Sequence, residues 1–299
     1  MSKGLKPWVV VLLGAGILIA LLDYFHWDDR GWLLWQTADL DELQQKENIW
    51  LSDYRVVIQG KPLAWPVDEQ ASGLSWNPRT NTLFTVAGRS AKLVELSLEG
   101  KVLRAVELQG FADLEGIAVL NDGRFAVIDE RNASLTVFEL TDDTAHIAAK
   151  DWPTINLGAS RAHNKGFEGI VWDEVHRRFL LAKERDPLGL YALPLAAGSA
   201  VAEMTEQDLI ALPSEHIFAL DFSGLALDPR TGHLLVLSDE SRMLLELDEE
   251  GQPVSFMSFI MGFNGLTANI NQAEGVAIDA EGTIYIMSEP NLFYVFTNQ

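Results

Sequence analysis

The feature that most constrains this chain is an internal repeat. A short motif of Glu or Ser, then Gly, then an aliphatic residue occurs five times: Ser72-Gly73-Leu74, Glu115-Gly116-Ile117, Glu168-Gly169-Ile170, Ser223-Gly224-Leu225 and Glu274-Gly275-Val276. Successive motif glycines lie 43, 53, 55 and 51 residues apart. After each motif comes a polar turn, such as Asn77-Pro78-Arg79-Thr80-Asn81 or Asn121-Asp122-Gly123, and then a β-rich run such as TLFTVA or RFAVID. A second turn and a third run follow. Short runs between regularly spaced turns predict an all-β chain. Three or four strands per repeat of roughly 50 residues describe a propeller blade.

Residues 51–299 divide into five such blades, and a sixth motif is absent. The last repeat stops after its third strand. The segment Tyr54 to Gly60, ahead of the first motif, resembles Val102 to Gly110, the fourth strand of the first blade. The N-terminal strand is therefore expected to complete the last blade and close the ring, which removes exposed sheet edges.

The first fifty residues read differently. Trp8 to Leu22 is uncharged and almost wholly apolar, and Tyr24, Phe25 and Trp27 extend it with an aromatic flank. Crossing a hydrocarbon core of about 30 Å takes about 20 helical residues. Residues 1–27 are therefore expected to form a transmembrane helix that anchors the protein. A cleaved secretory signal is the alternative, but no small-residue cleavage site follows the run. Lys3 and Lys6 precede it and Asp23, Asp28 and Asp29 follow, which places the N-terminus inside and the remainder outside. Residues 28–50 read as a juxtamembrane stalk.

Net charge matters for partners. With 22 Lys+Arg against 43 Asp+Glu the chain carries −21. So acidic a surface repels phosphate backbones, which argues against nucleic acid. The same excess suits cations, above all Ca²⁺. There is no cysteine, hence no disulfide, zinc-thiolate site or Cys nucleophile. Elbow, P-loop, dinucleotide and HExxH motifs are also missing.

In a blade the first strand is innermost, and the second returns antiparallel. Residues that open the first strand and close the second therefore share one end of the ring. The openers include Glu115, Glu168 and Glu274, with Asp113 and Asp221 two residues ahead of their motifs. The closers include Glu130, Glu184, Glu240 and Glu289. Like charges about 4 Å apart cost about 4 kcal/mol at an effective dielectric of ~20. Glu115, Glu168, Glu274, Asp221 and Asp113 are thus candidate metal ligands, and Ca²⁺ is the expected ion. Glu130, Glu184, Glu240 and Glu289 are candidates for binding at the same face. The competing reading is structural: these acids cap turn amides or pair with Arg131, Arg185 and Arg242. The motif glycines are expected to permit close approach of first strands, and Trp65, Trp76, Trp152 and Trp172 to fill the space between blades.

Taken together, the short anchor with Asp29-Arg30-Gly31-Trp32, Ser72-Gly73-Leu74, Asp129-Glu130-Arg131, Gly166-Phe167-Glu168-Gly169, Asp221-Phe222-Ser223-Gly224, Glu240-Ser241-Arg242, Gln272-Ala273-Glu274-Gly275 and Ser288-Glu289-Pro290-Asn291 resemble the SdiA-regulated (YjiK-like) family over nearly the whole chain. The resemblance implies a membrane-anchored, five-bladed propeller in the periplasm of the inner membrane, with a bound calcium. It also implies a distant kinship to NHL-repeat propellers, which often bind proteins. It supplies no reaction. Two functions follow as expectations. One is a binding module for a periplasmic protein or small molecule. The other is a calcium-dependent hydrolase of lactonase, esterase or phytase type, with Glu130, Glu184 or Glu289 as base.

Overall fold

The computed structural model describes residues 6–24, 27–37, 47–64, 70–158, 166–185, 187–195 and 204–298. The chain divides into two compact units, Met1–Asp41 and Glu42–Gln299.

The N-terminal unit holds two helices, α1 (Pro7–Tyr24) and α2 (Trp27–Thr37). α1 is apolar all round. Trp8, Val11, Leu12, Ile17 and Ile19 are all exposed, so no single stripe faces a core. Its 18 residues rise about 27 Å, slightly short of a hydrocarbon core. Among the described residues no helix is long and apolar enough to cross a membrane. Phe25 and His26, part of the expected span, lie outside the described residues, as do Lys3 and residues 38–46 of the expected stalk. Where the stalk is described, Trp27–Thr37 is helical.

The second unit is built of five sheets. Blade one comprises β2 (Ala71–Asn77), β3 (Thr82–Ala87), β4 (Lys92–Leu96) and β5 (Val102–Gln109), after β1 (Tyr54–Pro62). Blade two has β6 (Leu114–Val119), β7 (Arg124–Asp129) and β8 (Ser134–Glu139), then β9 (His146–Ala148) and β10 (Thr154–Asn156). Blade three runs β11 (Phe167–Asp173), β12 (Arg178–Lys183), β13 (Gly189–Pro194) and β14 (Ile210–Leu212). Blade four is β15 (Gly224–Leu227), β16 (Leu234–Ser238), β17 (Met243–Leu247) and β18 (Pro253–Ser258). The last is β19 (Ala273–Ile278), β20 (Ile284–Ser288) and β21 (Leu292–Asn298). Its fourth place is taken by β1, antiparallel to β21 from Tyr54 opposite Asn298 to Pro62 opposite Leu292. Closure is as the sequence indicated.

Blade two departs from the simple pattern. β9 crosses to blade one and pairs in parallel with β5, while the three-residue β10 completes its own sheet. Strands this short carry too little alternation to read in sequence.

Both faces of each blade are covered by neighbours, so strands such as β3 are buried along nearly their whole length rather than on alternate residues. The two-residue period still sorts side chains. Leu83 joins an apolar cluster shared with blade five, whereas Phe84 and Val86 join one shared with blade two. In the latter, Phe125 lies 4.8 Å from Phe84 and 5.9 Å from Phe138. Trp76 and Trp152 are half-buried against these clusters and Trp172 is buried in a third, against Phe179 at 4.8 Å. These three fill inter-blade space as expected; Trp65 lies outside the described residues.

The propeller unit also takes in residues ahead of 51. Ile49 and Leu51 are buried, and the Ile49 and Trp50 amides donate to the Glu246 carboxylate of β17 at 2.8 and 3.0 Å.

Candidate metal site at the axial mouth

The inner strands β2, β6, β11, β15 and β19 circle the axis, and the motif glycines set their spacing. A Cβ on Gly116 would stand 2.2 Å from the Glu168 carbonyl oxygen, and one on Gly275 would stand 2.7 Å from the Gly73 carbonyl carbon. Backbones approach this closely only where no side chain intervenes. What remains at the axis is a cavity of about 10 Å³, lined in part by Glu168 and the glycines of all five motifs. That is room for roughly one water-sized particle.

The residue ahead of three of these glycines has no ladder partner. The pairing of β6 with β7 slips between Leu114 and Gly116, that of β11 with β12 between Phe167 and Gly169, and that of β19 with β20 between Ala273 and Gly275. Glu115, Glu168 and Glu274 therefore sit on bulges, the device that re-aims a side chain out of a sheet's regular alternation.

The carboxylates gather accordingly. One oxygen each from Asp113, Glu115 and Glu130 lie within 4.8 Å of one another, and so do oxygens of Glu130, Glu168 and Glu184. Glu130 belongs to both groups, and its Oε1 accepts the Gly166 amide at 2.8 Å. It comes from the end of β7, as Glu184 comes from the end of β12. The opening and closing acids do share one end of the ring.

Burial and mutual repulsion act on Glu115, Glu130 and Glu168 among them. Burial foremost pushes the Glu115 carboxyl from 4.5 to about 8, aided by the charges of Asp113, Glu130 and Glu289, while a hydrogen bond with Ser72 opposes this. Glu168 is driven well above the usual range by burial and then by Glu274, Glu184, Glu115 and Glu130. Glu274 is driven up by burial, then by Asp239, Glu289, Glu115 and Asp221. Burial also raises Glu130 and Glu289.

The remaining candidates are placed differently. Asp221 is buried and accepts the Ser238 hydroxyl and the Glu240 amide, at 3.1 Å for the latter. Burial lifts its pKa to about 6, yet it belongs to neither three-carboxylate group. Glu240 is exposed and pairs with Arg185 at 2.8 Å, and Arg185 also pairs with Glu184. Glu289 accepts from Gln70 and Gln272 at 3.2 and 3.1 Å. Arg131 pairs with Asp113 at 2.8 Å. Asp221 thus accepts a turn amide, and Glu240, Glu184 and Asp113 have arginine partners, as the structural reading expects, while Glu289 takes two glutamine donors instead.

Sequence reasoning missed Ser72, Gln70 and Gln272 as partners of these acids, along with Asp239, whose charge raises Glu274. A signal existed for the two glutamines. Gln70 and Gln272 stand two residues ahead of their motifs' first residues, the same offset as Asp113 and Asp221.

The two groups offer only carboxylate oxygens, and no described histidine belongs to them. Such a hard, anionic, all-oxygen donor set fits Ca²⁺, which takes 6–8 oxygens; it does not suit zinc or iron.

Fold and site together define a five-bladed propeller with an acid-ringed axial mouth. The chain belongs to the SdiA-regulated family, whose model matches residues 46–297. Among solved structures it is similar to a chain of the nidogen/laminin complex, at 14% identity and a TM-score of 0.48, covering 74% of this chain and 73% of that one. It is also similar to a catalytically inactive virginiamycin B lyase from Staphylococcus aureus with quinupristin, at 11% identity and a TM-score of 0.44, covering 76% and 66%. At these values neither likeness bears on function.

Proposed function

We propose that the protein is a calcium-binding propeller that serves as an interaction module, tethered at the periplasmic side of the inner membrane. The observation that carries this is Glu130, shared between two groups of crowded carboxylates at the axial mouth. Asp113, Glu115, Glu130, Glu168 and Glu184 would hold the ion, with Glu274 adding charge. Bound calcium supplies positive charge there and takes the place of the protons that burial otherwise enforces. The protein's part is to fix these oxygens on bulges of a rigid ring, so that the mouth presents one surface to a periplasmic protein or small molecule.

On the axis itself, size favours binding over hydrolysis. The axial cavity measures about 10 Å³, against the several hundred Å³ of a substrate pocket. Tethering is supported by α1, whose apolar side chains are exposed all round. A helix a few ångströms short of the bilayer is accommodated by local thinning and by snorkelling of flanking residues. The Lys residues before it and the Asp residues after it orient the propeller outward.

The test is calorimetric titration of the full chain with Ca²⁺, with Mg²⁺ as comparator. Calcium at about 100 times its Kd should add about 2.7 kcal/mol of stability, and the gain should vanish in Glu168→Gln. No binding at millimolar calcium would remove the ion. Capture from envelope extracts, with calcium and with chelator, then tests the module.

A further inference from the structure

We propose that the loop between β18 and β19, carrying Met261 and Phe263 at its tip, docks the propeller onto the lipid headgroup surface beside its tether. This rests on the membrane-tether reading above.

The loop is built, not slack. Phe259, Leu266 and Ile270 are buried at its base. Its turns are closed by backbone hydrogen bonds from Gly262 to Leu266, Leu266 to Phe263 and Ile270 to Phe259, at 2.8–2.9 Å. Met261 is held by its amide, which donates to Asn269 Oδ1 at 2.8 Å. Within this ordered frame Met261 is 62% exposed and Phe263 57%. Both are apolar side chains held outward on a backbone whose hydrogen bonds are made.

Charge identifies the partner. From Gly251 to Ala273 there is no charged residue, in a chain whose net charge is −21. Elsewhere that excess repels an anionic bilayer surface; this stretch does not. A cation alongside it is Arg55, whose Cδ would lie 3.9 Å from a Cβ on Gly265 and whose Nη1 donates to the Ser52 and Tyr54 carbonyls; its charge has the sign that a lipid phosphate attracts.

Position agrees. Asn264 Nδ2 donates to the Leu51 and Tyr54 carbonyls at 3.2 and 2.9 Å, and the Val56 amide donates to the Asn264 carbonyl at 2.9 Å. The loop therefore grips the very residues through which the N-terminal chain joins the propeller. α2 exposes Trp32 and Trp35, residues suited to the headgroup zone.

Because the chain has no cysteine, single labels are clean. The full chain carrying Met261→Cys, Val175→Cys or Leu18→Cys is labelled with an environment-sensitive fluorophore. It is then reconstituted into vesicles of phosphatidylethanolamine and phosphatidylglycerol containing spin-labelled lipid. Val175, 85% exposed on the turn between β11 and β12, is the control. The Met261 label should be quenched roughly twofold more than the Val175 label, and adding Phe263→Asp should abolish the difference. Equal quenching at 261 and 175, with Leu18 strongly quenched, overturns the docking loop and leaves the tether standing. Quenching at 261 without quenching at 18 supports the loop and removes the tether; quenching at neither removes both.

Discussion

Two buried glutamates in this propeller meet opposite circumstances. Glu246 on β17 is fully buried and surrounded by donors: His233 Nδ1 at 2.7 Å, the Ser255 hydroxyl at 2.5 Å, and the Ile49 and Trp50 amides. Glu168 on β11 is surrounded by other acids. The residue type is the same and both are removed from water, but only one has its charge answered by the protein. The first is a clasp that holds the incoming N-terminal chain to blade four. The second has only other acids around it, and its carboxyl is pushed well above the usual range. Burial of a carboxylate is thus no sign of function by itself; the sign is burial without compensating donors.

The largest expected effect concerns the mouth without metal. Glu115 has a folded pKa of about 8 against an ordinary 4.5. Its raised value means the folded state keeps a proton that the unfolded chain has released. Stability in chelator should therefore fall as pH climbs through this window, on the order of 4 kcal/mol from this group. Calcium should flatten the fall, since the ion replaces the proton. Denaturation midpoints between about pH 5 and pH 9 measure this; a rising curve in chelator would contradict the crowding.

Next in size is the clasp. Glu246→Ala leaves His233, the Ser255 hydroxyl and two amides without this acceptor and should cost about 3 kcal/mol, read by urea denaturation. Hydrogen exchange at Ile49 and Trp50 should quicken. Loss of calcium binding in this variant would mean that the two glutamates are coupled and the contrast is wrong.

Glu168→Gln should act in the other direction. In chelator it replaces a crowded, buried acid by a neutral amide and should stabilise the fold, while the stabilisation by calcium disappears. Thermal melts with and without the ion separate these two effects.

Asp221→Asn sharpens the boundary of the site. It weakens the hydrogen bonds from Ser238 and Glu240, a loss of about 1 kcal/mol, and calcium affinity should stay as it was. A calorimetric change in affinity would move Asp221 into the ligand set. Smallest of all is Glu240→Gln, whose exposed pair with Arg185 should matter by less than about 0.5 kcal/mol.

Much of this was open to view in the residue order. The spacing of five Gly-aliphatic motifs dictated blade number, because each copy must bury both faces against its neighbours. The likeness of Tyr54–Gly60 to Val102–Gly110 foretold closure, since a sheet lacking its last strand must find one. That acids opening first strands and closing second strands share one end follows from antiparallel pairing alone, so Glu115, Glu168, Glu130 and Glu184 could be named together. What residue order left undecided was their division of labour. That Glu130 bridges two groups while Asp221 and Glu289 are tied to local donors depends on bulge geometry and on partners far apart in the chain, such as Gln70 and Glu289. The same holds for the Glu246 clasp and the crossing of β9. Periodicity reports which way a strand faces. Only the packed ring decides which charges find a donor, because that outcome is fixed by distances of a few ångströms between segments that share no pattern.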